Sequence, residues 1–132
     1  MYYLKHKIII ISNLIFLLYY SSQLILFTDE FTLNNLGFYN HAIAGLAEIL
    51  GILLFSLSCG LFFVLLKSYK NQFPLFITVF IFQILVSFNL WRYVITNSPG
   101  ETSIGIITMN AILFSLASMS MFFLIFFKKK IV

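Results

Sequence analysis

Charge is scarce in this chain. Eight lysine and arginine residues and four acidic residues make up only 9% of its 132 residues, whereas a soluble domain carries about 25% charged residues. Because 61% of the residues are hydrophobic, the chain could not cover a water-soluble surface, and we expect lipid as its solvent. The basic residues stand mainly at the ends of apolar runs and form no continuous patch, which argues against a nucleic-acid partner.

Cysteine and catalytic motifs are also scarce. Cys59 is the only cysteine, so an internal disulfide and a multi-cysteine metal site are both excluded. The sequence has no Cys-x-x-Cys pair, no glycine-rich phosphate loop, no paired carboxylates and no nucleophile-base pattern. We therefore expect no catalytic activity of the chain on its own, and no haem, metal or flavin motif identifies a cofactor.

Four long apolar runs are what the sequence does contain. The first, at 8–27, has twenty uncharged residues, which as a helix would measure about 30 Å, the thickness of the hydrocarbon core. The others lie at 41–66, 73–95 and 104–127. The segment 28–39 is too apolar for a free loop and is expected to lie at the headgroup level. The sequence predicts a single all-α transmembrane domain over 1–132.

Local residues predict where these elements begin and end. Asn40 is suited to cap the second span, and Gly37 permits a turn just before it. Pro74 stands at the start of the third span, where its missing N–H is tolerated. The residues at 97–100 read Asn-Ser-Pro-Gly, which is a turn composition.

The distribution of lysines predicts the orientation in the membrane. Lys5 and Lys7 precede the first span, Lys67 and Lys70 lie between the second and third, and three lysines follow the fourth at 128–130. In the other two connections the only charged residues are acidic, namely Asp29, Glu30 and Glu101. The positive-inside rule then places both termini on the cytoplasmic or matrix side. Short connections favour an antiparallel up-down four-helix bundle.

Glu48 stands inside the second span, where an ionisable group is costly and needs a partner. With the predicted orientation, every span places polar residues in the outer half of the membrane. We therefore predict an ion pair between Glu48 and Arg92 within one polar cluster. Its members are Glu48, Arg92, Asn89, Gln23, Asn110 and His41.

The role of this cluster has two interpretations. The charge pair either fixes the register of the helices or forms a ligand, proton or partner site. His41 is either a residue at the start of a helix or a metal or haem ligand. Small residues on the second and fourth spans, among them Gly51 and Ser115, further predict that these two helices pack together or line the centre.

Residues 36–39 read Leu-Gly-Phe-Tyr, and residues 43–51 read Ile-Ala-Gly-Leu-Ala-Glu-Ile-Leu-Gly. In these two segments the chain resembles the DoxX-like group of small four-helix membrane proteins. Where that group usually has a proline, this chain has Tyr39 or Asn40, and Gln23 stands where a lysine is common. The resemblance implies a component linked to quinone or thiol redox systems that acts beside other proteins.

These observations favour a small integral membrane protein that acts as a binding or assembly subunit, associated with a redox system. Two alternatives stay open: an accessory subunit of a respiratory complex in an organelle membrane, and a small transporter or ligand-binding protein centred on Glu48. The expected partners are the lipid bilayer and other membrane subunits. The expected location is the cytoplasmic membrane of a cell or, alternatively, the mitochondrial inner membrane.

Overall fold

The chain forms helices and no strands within the parts that the computed structural model describes, which are residues 2–67, 71–97 and 103–126. The five helices are α1 (Tyr2–Leu26), α2 (Thr28–Leu36), α3 (His41–Leu66), α4 (Phe73–Thr96) and α5 (Ile104–Phe126). All except α2 are long and apolar enough to cross a membrane. The expectation of an all-α, multi-pass membrane protein is therefore confirmed.

The helix boundaries follow from local chemistry. The Asn40 side chain accepts a hydrogen bond from the backbone N–H of Ile43 at 2.9 Å, so the predicted cap of α3 is confirmed. Gly37 ends α2 with a left-handed backbone at φ 77°, a conformation that glycine adopts without steric cost. Pro74 is the second residue of α4. The predicted turn at 97–100 lies outside the described residues except for Asn97.

Helix α2 is a short continuation of α1 after a break at Phe27. The Thr28 hydroxyl donates to the carbonyl of Leu24 at 2.6 Å, and the Thr32 hydroxyl donates to the carbonyl of Thr28 at 2.8 Å. Both threonines are buried, while Asp29 and Glu30 beside them are exposed. The segment predicted at 28–39 is thus helical from Thr28 to Leu36, with Thr28 and Thr32 on its buried side.

The long helices form two closely packed pairs, α1 with α3 and α4 with α5. Contacts between α1 and α5 join the pairs, and Phe16 meets Phe114 there with ring centroids 4.9 Å apart. The α3–α4 contact is slight. It includes the approach of Leu75 to Gly60, where an added Cβ would lie 3.2 Å from the leucine methyl groups.

Of the two alternatives predicted for the second and fourth spans, close packing against each other is wrong, because the backbones of α3 and α5 do not approach each other closely among the described residues. Helix α1 lies against both of them. Its Ser21 hydroxyl donates to the carbonyl of Gly51 on α3 at 3.0 Å, while its Tyr20 ring lies against Phe114 on α5 at 4.9 Å. Gly51 and Gly60 of α3 therefore meet α1 and α4, respectively. Ser120 and Ser115 of α5 likewise meet α1 and α4.

Candidate functional site

Glu48 lies seven residues into α3 and its side chain is exposed. It lines an open cavity of about 280 Å³ together with residues 25–30, the segment where α1 ends and α2 begins. Ala44 and Gly51, one turn to either side, are buried against the bundle. Glu48 therefore stands at the edge of the packed face of α3, outside the interior of the bundle.

Acidic groups dominate this cavity. Asp29 and Glu30 line it beside Glu48, and no lysine or arginine nitrogen of the described residues lies within 4.0 Å of the Glu48 carboxylate. A hydrogen bond to Asp29 raises the pKa of the Tyr39 phenol, with partial burial and the negative charges of Asp29 and Glu48 adding to the effect. The cavity is thus a region of negative potential at one end of α3.

Arg92 lies elsewhere, on the exposed side of α4. Its Nη2 donates to Oδ1 of Asn89 at 3.0 Å, and its Cζ lies 4.9 Å from the centroid of the Tyr93 ring. Nine residues separate it from the fully buried Gln83, which at about 100° per residue puts the two on opposite faces of α4. Arg92 consequently points away from the bundle.

The predicted ion pair between Glu48 and Arg92 is therefore not formed in this structure. The reason is the rotation of each helix about its own axis. The face of α3 that carries Glu48 is turned toward the α1–α2 junction, and the face of α4 that carries Arg92 is turned outward. A similar depth along each helix, which the sequence supplies, is not enough to bring the two side chains together.

The other members of the predicted cluster are also distributed over the molecule. Asn110 is buried, where its Oδ1 accepts from the Tyr20 hydroxyl at 2.7 Å. Its Nδ2 donates to Oδ1 of Asn35 on α2, also at 2.7 Å. His41 is exposed beside the Tyr39 ring, and Gln23 is half-buried. Of the six predicted residues, the structure brings only Arg92 and Asn89 into direct contact.

A second polar cluster, which the sequence reasoning missed, lies in the centre of the bundle. Asn13 is 1% exposed and Gln83 is 0% exposed. Asn13 Nδ2 donates to the Ser120 hydroxyl oxygen at 2.8 Å, and Gln83 Nε2 donates to Oδ1 of Asn13 at 2.9 Å. This group, which we call the amide cluster, links α1, α4 and α5 through side chains alone.

Further polar contacts lie beyond Gln83, toward the C-terminal end of α4. The hydroxyl groups of Ser87 and Ser115 lie 2.7 Å apart, and the indole N–H of Trp91 donates to Ser115 at 3.0 Å. The signal that would have revealed this arrangement is the presence of uncharged amides in the middle of apolar runs. The predicted cluster took only polar residues in the outer half of the membrane and therefore omitted Asn13 and Gln83.

The amide cluster leaves one polar atom without a partner among the described residues, Oε1 of Gln83. A cavity of about 200 Å³ opens between α1 and α5, and Asn13 and Ser120 form part of its wall. The remaining wall is mostly apolar. The described residues contain no group of three or more His, Cys, Asp or Glu side chains placed to hold a metal ion.

Comparisons of this chain with protein-family models, with characterised proteins and with solved structures give no match.

Proposed function

We propose that this protein is a binding or assembly subunit of the membrane that docks onto a partner through Glu48. One observation carries the proposal: a carboxylate within a helix long enough to span a membrane has no cationic partner in the described chain. The docking surface consists of Glu48 with the cavity wall at 25–30.

The energetic argument concerns an ionised group in the bilayer. An acidic residue at the middle of a spanning helix costs about 3 kcal/mol on insertion scales, and such groups generally pair with another charge or face water. Glu48 lies about 10 Å along α3 from His41, at 1.5 Å per residue. A cation from outside the chain would offset much of this cost, and that requirement favours a role beside another protein.

The proposal includes an antiparallel up-down bundle with both termini on the cytoplasmic side. Two hydrogen bonds support the antiparallel arrangement, because Asn13 pairs with Ser120 whereas the later residue Tyr20 pairs with the earlier Asn110. The lysines beside the first, second and third spans support the cytoplasmic position of the termini. In this orientation Glu48 lies in the outer half of the membrane.

A second candidate function is that of a small transporter or ligand-binding protein centred on Glu48. The open cavity of about 280 Å³ beside Glu48 favours this alternative. An association with a quinone- or thiol-linked redox system rests on the resemblance at 36–51 alone. An accessory role in a respiratory complex would be one form of the subunit function, and the membrane would then be that of the organelle.

Site-specific photo-crosslinking in native membranes tests the docking surface. A photoreactive phenylalanine analogue would replace Leu26, which is 73% exposed and lines the cavity. We expect a protein adduct of discrete mass at this position. Glu48→Gln should reduce the adduct about tenfold, which corresponds to a loss of 1.4 kcal/mol of binding free energy.

Two controls sharpen the result. The same probe at Leu85, an exposed position on α4, should give no adduct that depends on Glu48. Glu30→Gln changes a carboxylate of the same cavity on α2, outside the long helices, and should have the smaller effect. Absence of an adduct at Leu26, or an adduct that Glu48→Gln leaves unchanged, would contradict the docking function.

A further inference from the structure

Arg92 carries the charge opposite to that of Glu48. It is the only arginine of the chain and the only basic residue in 71–127. One of its nitrogens donates to Asn89, and a guanidinium group has five N–H donors in all. Since the side chain is exposed, most of these donors face away from the bundle and are accessible to a neighbouring molecule.

The two charges lie at similar distances from the ends of their helices. Arg92 is four residues before the end of α4 at Thr96, about 6 Å, and Glu48 is about 10 Å from the start of α3. In the proposed topology these two helix ends lie on the same side of the membrane. The difference of about 4 Å is within the reach of a flexible arginine side chain.

Within one copy the two groups do not meet. Glu48 faces the cavity at the α1–α2 junction, and Arg92 lies on the face of α4 opposite Gln83. The approach of Leu75 to Gly60 brings α3 and α4 together near the end of α3 and the start of α4, which is the opposite end from both charges. A pair between these residues therefore requires two molecules.

We propose that the protein associates with itself, and that Glu48 of one copy forms an ion pair with Arg92 of the next. This inference rests on the proposed function and identifies the partner as a second copy of this chain. The planar guanidinium group binds a carboxylate through two parallel hydrogen bonds, which are stronger than bonds between neutral groups. Pairing would neutralise both charges within the membrane.

The geometry also predicts the type of assembly. Glu48 and Arg92 lie on different faces of one copy, so the contact joins unlike surfaces. Such a heterologous interface closes into a ring when its rotation permits and otherwise extends as a filament. A ring is the expected form, because it leaves no copy with an unpaired Glu48.

Co-expression of two copies with different affinity tags tests the pairing. Purification through one tag in mild detergent should recover the second tag with the wild-type chain. Glu48→Gln in both copies, or Arg92→Gln in both copies, should each reduce recovery about tenfold. Copies that carry one substitution each, Glu48→Gln with Arg92→Gln, retain one complementary pair and should recover the second tag again.

A charge exchange provides the stricter test. A chain with both Glu48→Arg and Arg92→Glu should associate with itself, whereas a chain with either exchange alone should not. Thermal unfolding of each variant controls for misfolding, because both side chains are exposed and their replacement should leave the monomer intact. Unchanged recovery with the single Gln variants, or failure of the mixed and exchanged variants to restore it, would overturn the self-pairing.

The mass of the adduct at Leu26 separates this inference from the proposed function. An adduct with the mass of a second copy supports both. An adduct with a different protein overturns self-association and leaves the docking function standing. No adduct at all overturns both.

Discussion

Helix α1 contacts α3 on one side and α4 and α5 on the other, and the two sides differ in how the contact is made. Toward α3 the contact depends on a small residue. A Cβ added at Gly51 would lie 2.6 Å from Cγ1 of Ile25 and 3.0 Å from Cβ of Leu24, so only glycine permits this approach. The hydrogen bond from Ser21 to the Gly51 carbonyl crosses the same contact.

Toward α4 and α5, α1 depends on polar side chains instead. Asn13 joins Ser120 and Gln83 in the amide cluster, and Tyr20 joins Asn110. Between the two, Phe16 packs on Phe114. Lipid tails are as apolar as leucine, so helices in a bilayer associate through close packing and hydrogen bonds. On the α3 side, close packing at Gly51 is accompanied by a hydrogen bond to the backbone, whereas on the other side the hydrogen bonds run between side chains.

The largest effect is expected from Gly51→Leu. The new side chain would overlap Ile25 and Leu24 and force α1 and α3 apart, which should lower the free energy of unfolding by about 3 kcal/mol, the upper part of the range for overpacking. The measurement is reversible unfolding in mixed detergent micelles as the fraction of denaturing detergent increases.

Gly45→Leu is the matched control, because a Cβ at Gly45 has nothing within 4 Å. We expect it to leave the free energy of unfolding unchanged or to raise it by up to about 1 kcal/mol, because glycine is less favourable than leucine inside a helix. Equal stability of the two variants would show that the α1–α3 contact does not depend on glycine.

A smaller effect is expected from Asn13→Leu. The substitution leaves the Gln83 amide buried without its partner, which should cost about 2 kcal/mol. Adding Gln83→Leu removes the unsatisfied amide, so the double variant should be more stable than the sum of the two single effects predicts. The same detergent titration measures all three variants, and strict additivity would exclude coupling through the amide cluster.

The smallest effect is expected from Tyr20→Phe. It removes the hydroxyl that donates to Asn110 at 2.7 Å and should cost about 1 kcal/mol, as for single interhelical hydrogen bonds in membranes. Tyr19→Phe is the control, because the neighbouring Tyr19 is 55% exposed. If both substitutions had the same effect on the unfolding free energy, the Tyr20–Asn110 bond would not stabilise the fold.

Local sequence determines some features of this protein, and the rotation of each helix about its axis determines others. The long helices and the caps at Asn40 and Gly37 follow from hydropathy and from residues next to each other in the chain. The surroundings of Glu48 and the partners of Asn110 do not follow from these features, because they depend on how far each helix is rotated about its axis. The contacts within the amide cluster depend on the same rotation, although the amides themselves can be read in the sequence.

What the sequence by itself determined is the class of protein, the long apolar helices and the residues at which α3, α4 and α5 begin. These depend on apolar length and local capping, and both can be read along the chain. Only the tertiary structure decided which faces meet: Glu48 at the edge of α3, Arg92 on the outside of α4, and the amides at the centre. In a membrane protein the lipid-facing and buried sides of a helix are both apolar, so the hydrophobic pattern does not reveal the rotation that packing and hydrogen bonds select.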